Sequence, residues 1–266
     1  MPIHPTAVID RRAEIDATAD IGPYVVVDGP VVVGARTRVL AHAVLTGRTT
    51  VGADNVIHMG AVLGHEPQDL AWVDRGCALQ VGDRNVFREY CTVHRASKPE
   101  AATIVGNDNY FMCNSHAGHD CRIGNHVIVT NGAMLGGHVE VGDRAVISGN
   151  CVVHQFVRVG QLAFLRGLSR TSRDVPPFCI MDYTHTVRGL NRVGLRRAGF
   201  THDRIRALQS AFARLFSGRR NLTLAMQEIE SEPRTEDVDH LLAFIRESRR
   251  GVAVGMRRST AGDDSE

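Results

Sequence analysis

From Ile3 onward, every sixth residue is a bulky aliphatic: Ile3, Ile9, Ile15, Ile21, Val27, Val33, Val39, Leu45, Val51, Ile57 and Leu63. The phase slips after Leu63 and resumes at Val81, Phe87 and Val93. It slips once more, then runs from Val105 through Phe111, Ala117, Ile123, Val129, Leu135, Val141, Ile147, Val153 and Val159 to Leu165. Glycine often follows the aliphatic, as at Gly22, Gly34, Gly52, Gly124 and Gly160. The fifth place of the hexad favours small residues, among them Ala7, Ala19, Ala43, Ala61, Ser115, Ala133 and Ala145. A period of six suits neither an amphipathic helix nor a simple hairpin strand, and repeats of this kind must be read before anything else.

The period fits a parallel β-helix of triangular section. Each hexad is one short strand plus a corner, and three hexads close one coil of eighteen residues. The aliphatic points into a narrow core, and coils stack at strand spacing, about 4.8 Å. Stability then comes from nearest-neighbour stacking. The pattern resembles the left-handed hexapeptide-repeat β-helix, an exception to the usual right-handed crossover. The fold expected is therefore mainly β: such a helix over 1–187, interrupted at about 65–80 and 96–104, then a small helical domain over 188–255. Thr201 reads as the N-cap of a helix beginning "HDRIRAL" and ending at Gly218, and Thr235 as the N-cap of one ending at Gly251. The last residues, 256–266, read as a disordered tail. Long loops on a rigid scaffold commonly carry function.

Composition narrows the function. Apolar residues make up 43% of the 266 and charged residues 23%, as in a soluble globular protein; the net charge of +2 argues neither for nor against nucleic acid, and no nucleic-acid partner is expected. No apolar run is long enough to span a membrane, and no leader is evident at "MPIHPTAVID", so a cytoplasmic protein is expected. The six cysteines form no CxxC pair. Cys91, Cys121 and Cys151 occupy the small fifth place and read as core fillers.

One segment, "NSHAGHDCRIGN" (114–125), keeps the period but crowds two histidines and an aspartate together. Eighteen residues advance one coil along a column, so His119 lies under Gly137, Gly137 under Gln155, and Gln155 under Arg173. His138 is offset by one from that column, and His116 precedes His119 by half a hexad. Ala117, a small core residue between the two histidines, thins the core locally. A histidine can take up and return a proton near neutral pH. A glycine amide one coil away can stabilise a developing oxyanion. Together these describe acyl transfer to a hydroxyl, with no metal or other cofactor required.

"PQDL", "TVHR", "NSHAGHDCRIGN", "GGHVEVGD", "VVHQFVRVG", "RDVPPF" and "GLRRAGF", in that order, resemble the UDP-N-acetylglucosamine acyltransferases of lipid A biosynthesis. The resemblance implies a cytoplasmic homotrimer with its active sites between neighbouring prisms. It implies transfer of a 3-hydroxyacyl chain from acyl carrier protein to the sugar 3-hydroxyl of UDP-N-acetylglucosamine. His119 would then be the general base, Asp120 its partner and Gly137 the oxyanion hole. Neighbours on a strand point apart, which speaks against an Asp120 contact with His119. Gln68, Asp69, His94, His116, His138, His154, Gln155, Asn191 and Arg197 would bind substrate, and Gly167 and Arg166 would border the acyl-chain groove. Arg158, Arg166, Arg170 and Arg173 would offer a landing surface for the acidic carrier. Three positions depart from the family pattern, Ala71, Val193 and Ala198, and all three fall on nucleotide or phosphate contacts.

Other readings of the same residues stand beside this one. In a γ-type carbonic anhydrase on this scaffold, His116, His119 and His138 would hold a metal; the "PQDL" insertion and the helical tail fit it poorly. An enzyme acylating a related UDP-amino sugar, or a non-catalytic hexapeptide scaffold, would share the repeat.

Overall fold

The structure, a computed structural model, describes residues 3–216 and 221–255. The hexads form three parallel sheets that enclose a triangular prism, a left-handed parallel β-helix. The first face runs from Val8–Ile9 to Arg170–Thr171, the second from Glu14–Ile15 to Arg158–Val159, and the third from Asp20–Ile21 to Cys179–Asp182. Strand partners are eighteen residues apart wherever the repeat is intact, as in Val8↔Val26, His116↔Met134 and Arg122↔Glu140. The inward residue of each strand is the periodic aliphatic, fully buried along most of the prism.

Many corners share one backbone conformation. At most corners from Ile21 onward the third residue after the core aliphatic takes a left-handed backbone, for example Asp108 (φ 58°), Asp120 (φ 58°), His126 (φ 55°) and His138 (φ 60°). Such a conformation is uncommon for side-chain-bearing residues and persists where the surrounding ladder fixes it. Ala117 does not thin the core as the sequence suggested. Its coil also contains Phe111, which stacks on Phe87 of the preceding coil at 5.0 Å between ring centres. The small residue offsets a large one in the same triangle, and all three side chains are buried.

Both insertions leave the prism at the same edge, between the first and second faces. One lies between the strands Val62–His65 and Ala78–Val81, the other between Thr92–His94 and Ala102–Val105. The next turn along that edge is His119-Asp120. The pairings Val62↔Thr92 and Thr92↔His116 show the ladder closing over both insertions without losing register.

After the prism the chain departs from the sequence reading in places. Residues 186–190 form a strand, antiparallel to Cys179–Asp182, where the helical region was expected to have begun at 188. Four helices follow: α1 (Arg192–Arg197), α2 (His202–Phe216), α3 (Leu222–Glu230) and α4 (Glu236–Arg246). The Thr201 hydroxyl accepts from the Arg204 amide at 3.4 Å, as an N-cap should. Thr235 stands at its N-cap position but makes no capping bond, and α4 ends before Gly251. The helices α1 and α3 were not foreseen; each is capped by an asparagine, Asn191 and Asn221. Gly218 and the tail 256–266 lie outside the described residues. Among the described residues no helix is long and apolar enough to cross a membrane.

Candidate active site

The His119-Asp120 turn brings the two side chains together. Because Asp120 takes the left-handed conformation at a corner, they do not alternate as strand neighbours would. His119 Nδ1 lies 2.7 Å from Asp120 Oδ2. The carboxylate oxygen accepts from Nδ1–H, which leaves Nε2 as the basic nitrogen. That nitrogen faces the next coil: a Cβ added to Gly137 would stand 2.6 Å from it. The His138 amide donates to the His119 carbonyl at 2.8 Å, pinning the two coils together. Among the described residues no group accepts a hydrogen bond from the Gly137 N–H.

His119 and Gly137 line a cleft of about 370 Å³ with Gln68, His94, His116, Gly118, Met134, Gly136, Val152, His154 and Gln155. Of the substrate contacts expected from the sequence, Gln68, His94, His116, His154 and Gln155 therefore converge. His116 is oriented by Thr92, whose Oγ1 lies 2.7 Å from His116 Nδ1. The His94 ring meets the His116 ring edge-on at 5.0 Å. Burial, then the neighbouring imidazoles His116, His65 and His119, push His94 down to about 4. Burial and His119 likewise lower His116.

His138 lies on the other flank of the edge. It stacks on Phe156 at 4.4 Å and borders a second hollow with Asp120, Lys98, Arg122 and Arg250. Its Nε2 is 3.7 Å from Asp120 Oδ2. His119, Asp120 and His138 offer ligand atoms within 4.8 Å of one another, the one metal-capable group among the described residues. It differs from the His116, His119 and His138 set that a carbonic-anhydrase reading required.

Five other expected residues do not line the cleft in the single chain. Asp69 is exposed, and its carboxylate accepts from the Ala71 amide at 2.9 Å. Asn191 is buried; its Nδ2 donates to the Leu162 carbonyl at 2.8 Å and its oxygen caps α1 at Gly194. Arg197 is exposed on α1. Arg166 pairs with Asp182 at 2.8 Å, and the adjacent Gly167 is open, with only the Gly149 carbonyl 3.5 Å from an added Cβ. Arg158, expected to meet the carrier, is shared between Glu140 and Glu247 and lies 4.4 Å over the Phe244 ring.

The comparisons with known proteins meet this geometry. An acyl-[acyl-carrier-protein]–UDP-N-acetylglucosamine O-acyltransferase of Thermodesulfovibrio yellowstonii is 39% identical over 253 residues, 94% of this chain and 98% of the relative. The chain belongs to the UDP-N-acetylglucosamine O-acyltransferase family. A family member from Verminephrobacter eiseniae is 40% identical over 257 residues, covering 94% and 98% of the two chains. The family model for the second domain of these O-acyltransferases matches residues 174–253. The solved UDP-N-acetylglucosamine acyltransferase of Francisella novicida superposes with a TM-score of 0.90 at 33% identity, over 98% of this chain and 97% of that one. The O-acyltransferase of Moraxella catarrhalis gives 0.89 at 34%, over 95% and 100%.

Three residues around the His119 cleft were assigned no part by the sequence argument. Thr92 and Arg95 flank His94 within "TVHR" but were given no role, Ser97 lies outside every motif, and only their hydrogen bonds show what they hold. Arg95 is buried, donates to the Gly64 carbonyl at 2.8 Å and lies 4.8 Å over the Trp72 ring. It ties the first insertion, which bears Gln68, to the prism.

Proposed function

We propose that this chain transfers a (3-hydroxy)acyl group from acyl carrier protein to the 3-hydroxyl of UDP-N-acetylglucosamine, the first step of lipid A biosynthesis, in the cytoplasm. The observation that carries the proposal is the His119 imidazole, anchored by Asp120 at Nδ1 and aimed with Nε2 at Gly137 inside a cleft.

In this reading Nε2 takes the proton of the sugar hydroxyl as its oxygen attacks the thioester carbonyl. The Gly137 N–H donates to the oxyanion that forms. As the tetrahedral intermediate collapses, the carbon–sulfur bond breaks and the carrier thiolate takes the proton back from the imidazolium. Such a base typically contributes about 10²–10⁴ in rate. Burial works against ionisation of Asp120, but hydrogen bonds from His119 and then Ser97 outweigh it and hold the carboxyl well below the usual carboxylate range. The dyad therefore stays anionic on its acidic side throughout the working pH range. His116 and His94, held neutral, are suited to hydrogen-bond the sugar and acyl groups rather than to repel a cation.

A homotrimer completes the proposal. Outward residues of the first face include Val44, Val62, Met134 and Val152, and those of the third include Val56, Val86, Ile128, Val146 and Phe164. The second face instead presents Gln80, Arg122, Glu140 and Arg158. Two different apolar flanks and one polar face are what a closed ring of identical subunits needs. A neighbour's third face against the first face would wall the cleft and bring groups that the single chain lacks there; Asn191 and Arg197 would act across that interface.

The test is His119→Ala, assayed with acyl carrier protein thioester and UDP-N-acetylglucosamine, with product masses measured. Loss of turnover in a folded trimer is expected. Normal turnover would remove the base assignment, and a stable monomer by light scattering would remove the shared cleft.

A further inference from the structure

We propose that Ser97, in the second insertion, is the positioning residue that locks the His119–Asp120 pair in its working geometry, a reading that rests on the acyl transfer proposed above. Asp120 Oδ2 accepts three hydrogen bonds: from His119 Nδ1 at 2.7 Å, from the Ser97 hydroxyl at 2.7 Å and from the Ser97 amide at 3.0 Å. The Asp120 amide in turn donates to the Thr103 hydroxyl at 2.8 Å, at the far end of the same insertion. Both ends of one loop thus grip one aspartate. The carboxylate side chain is 7% exposed, so water does not supply a ready substitute.

The loop is tied down on the side that precedes Ser97. Ala96 is fully buried and its amide donates to the Ala78 carbonyl at 3.0 Å. Arg95, one residue earlier, is pinned by the Gly64 carbonyl, Asp74 and the Trp72 ring. Ser97 is therefore presented from a rigid base, and the six extra residues of the second insertion acquire a purpose. Without them a corner like that at 136–139 would follow the strand Thr92–His94, with no side chain reaching back to Asp120.

The chemical consequence follows from the direction of the bonds. A carboxylate free to rotate would offer Nδ1 an acceptor in many poses. Two Ser97 donors on the same oxygen fix one pose, so the imidazole keeps both its tautomer and the aim of Nε2 at Gly137. Ser97 does not line the His119 cleft, so its action runs through Asp120.

The experiment compares Ser97→Ala and Ser97→Thr, alone and in an Asp120→Ala background. The alanine variant loses one charge-assisted hydrogen bond, and kcat is expected to fall roughly tenfold while KM for both substrates stays within about twofold. Ser97→Thr, which keeps the hydroxyl, is expected to restore kcat. In the Asp120→Ala background Ser97→Ala is expected to change nothing further. A second readout is independent of turnover. In histidine-labelled protein the His119 Nδ1–H proton resonance is expected to sharpen with Ser97 present and to broaden or vanish in Ser97→Ala. An unchanged resonance, a loss that appears only in KM, or a full additional loss on top of Asp120→Ala would overturn the proposal. Absence of acyl transfer in the unmodified protein would sink the functional reading instead, and the resonance would still decide the role of Ser97.

Discussion

A single methyl group added at Gly137 probes the site more sharply than removal of any side chain. An alanine Cβ there would lie 2.6 Å from His119 Nε2 and 2.7 Å from its Cε1. Ordinary non-bonded contact begins at roughly 3.5 Å, so the imidazole must retreat by about 1 Å. A misplacement of that size costs about 10²-fold in rate, equivalent to ~2.7 kcal/mol in the barrier. The fold has no comparable reason to suffer. Gly137 does not use a left-handed backbone, and the atoms it meets belong to a side chain at the rim of a cleft. Gly137→Ala is therefore expected to lower kcat by at least about a hundredfold with little change in Tm. Initial rates measured by product mass, alongside thermal melts, check both halves. Gly189→Ala, which meets nothing within 4 Å, serves as the silent control. Gly118→Ala, whose Cβ would press on the Gly137 backbone nitrogen at 2.8 Å, should instead lose stability. Turnover of Gly137→Ala within about threefold of the parent would refute the reasoning, because the imidazole could not then occupy that space during catalysis.

Other expectations are as direct. Folded His94 resists protonation until about 4 against 6.5 for the free group, so the unfolded chain binds more protons in that window; stability should fall as pH drops from 6.5 toward 4, and His94→Gln should flatten the decline in thermal melts. Arg95→Ala removes the clamp on the first insertion, and KM for the sugar nucleotide should rise about tenfold, more than kcat falls, since the loop orders Gln68 rather than the dyad. The Cys121 thiol, fully buried, is pushed up to about 12, so Cys121→Ala should keep turnover and alkylating agents at neutral pH should leave the folded enzyme active.

The prism was legible because its signal is a period, and a period survives any choice of side chain at the other five places. The same arithmetic placed His119 under Gly137, since an intact repeat converts sequence distance into spatial distance. What failed to show was whatever the period does not govern. Asp120 was expected as the partner of His119 only through the resemblance, since strand alternation argued against the contact; the corner's left-handed backbone is what turns the carboxylate toward the imidazole. His138 was grouped with His116, but one residue of offset carries it round the edge onto Phe156. Ser97 and Arg95 act through an insertion whose path no periodicity predicts. Asn191 and Arg197 lie away from the cleft of the single chain; in the proposed trimer they would act across the interface with a neighbour. The short helices α1 and α3 escaped notice because six and nine residues give too few turns for an apolar stripe to stand out.

The most direct measurement is a crystal structure of the protein with bound UDP-N-acetylglucosamine. The sugar 3-hydroxyl oxygen is expected within hydrogen-bond reach of His119 Nε2, about 2.6–3.2 Å, with the Gly137 N–H facing the space where the acyl carbonyl must enter. A sugar seated on the His138 and Phe156 flank, with His119 Nε2 bonded only to water, would contradict the account.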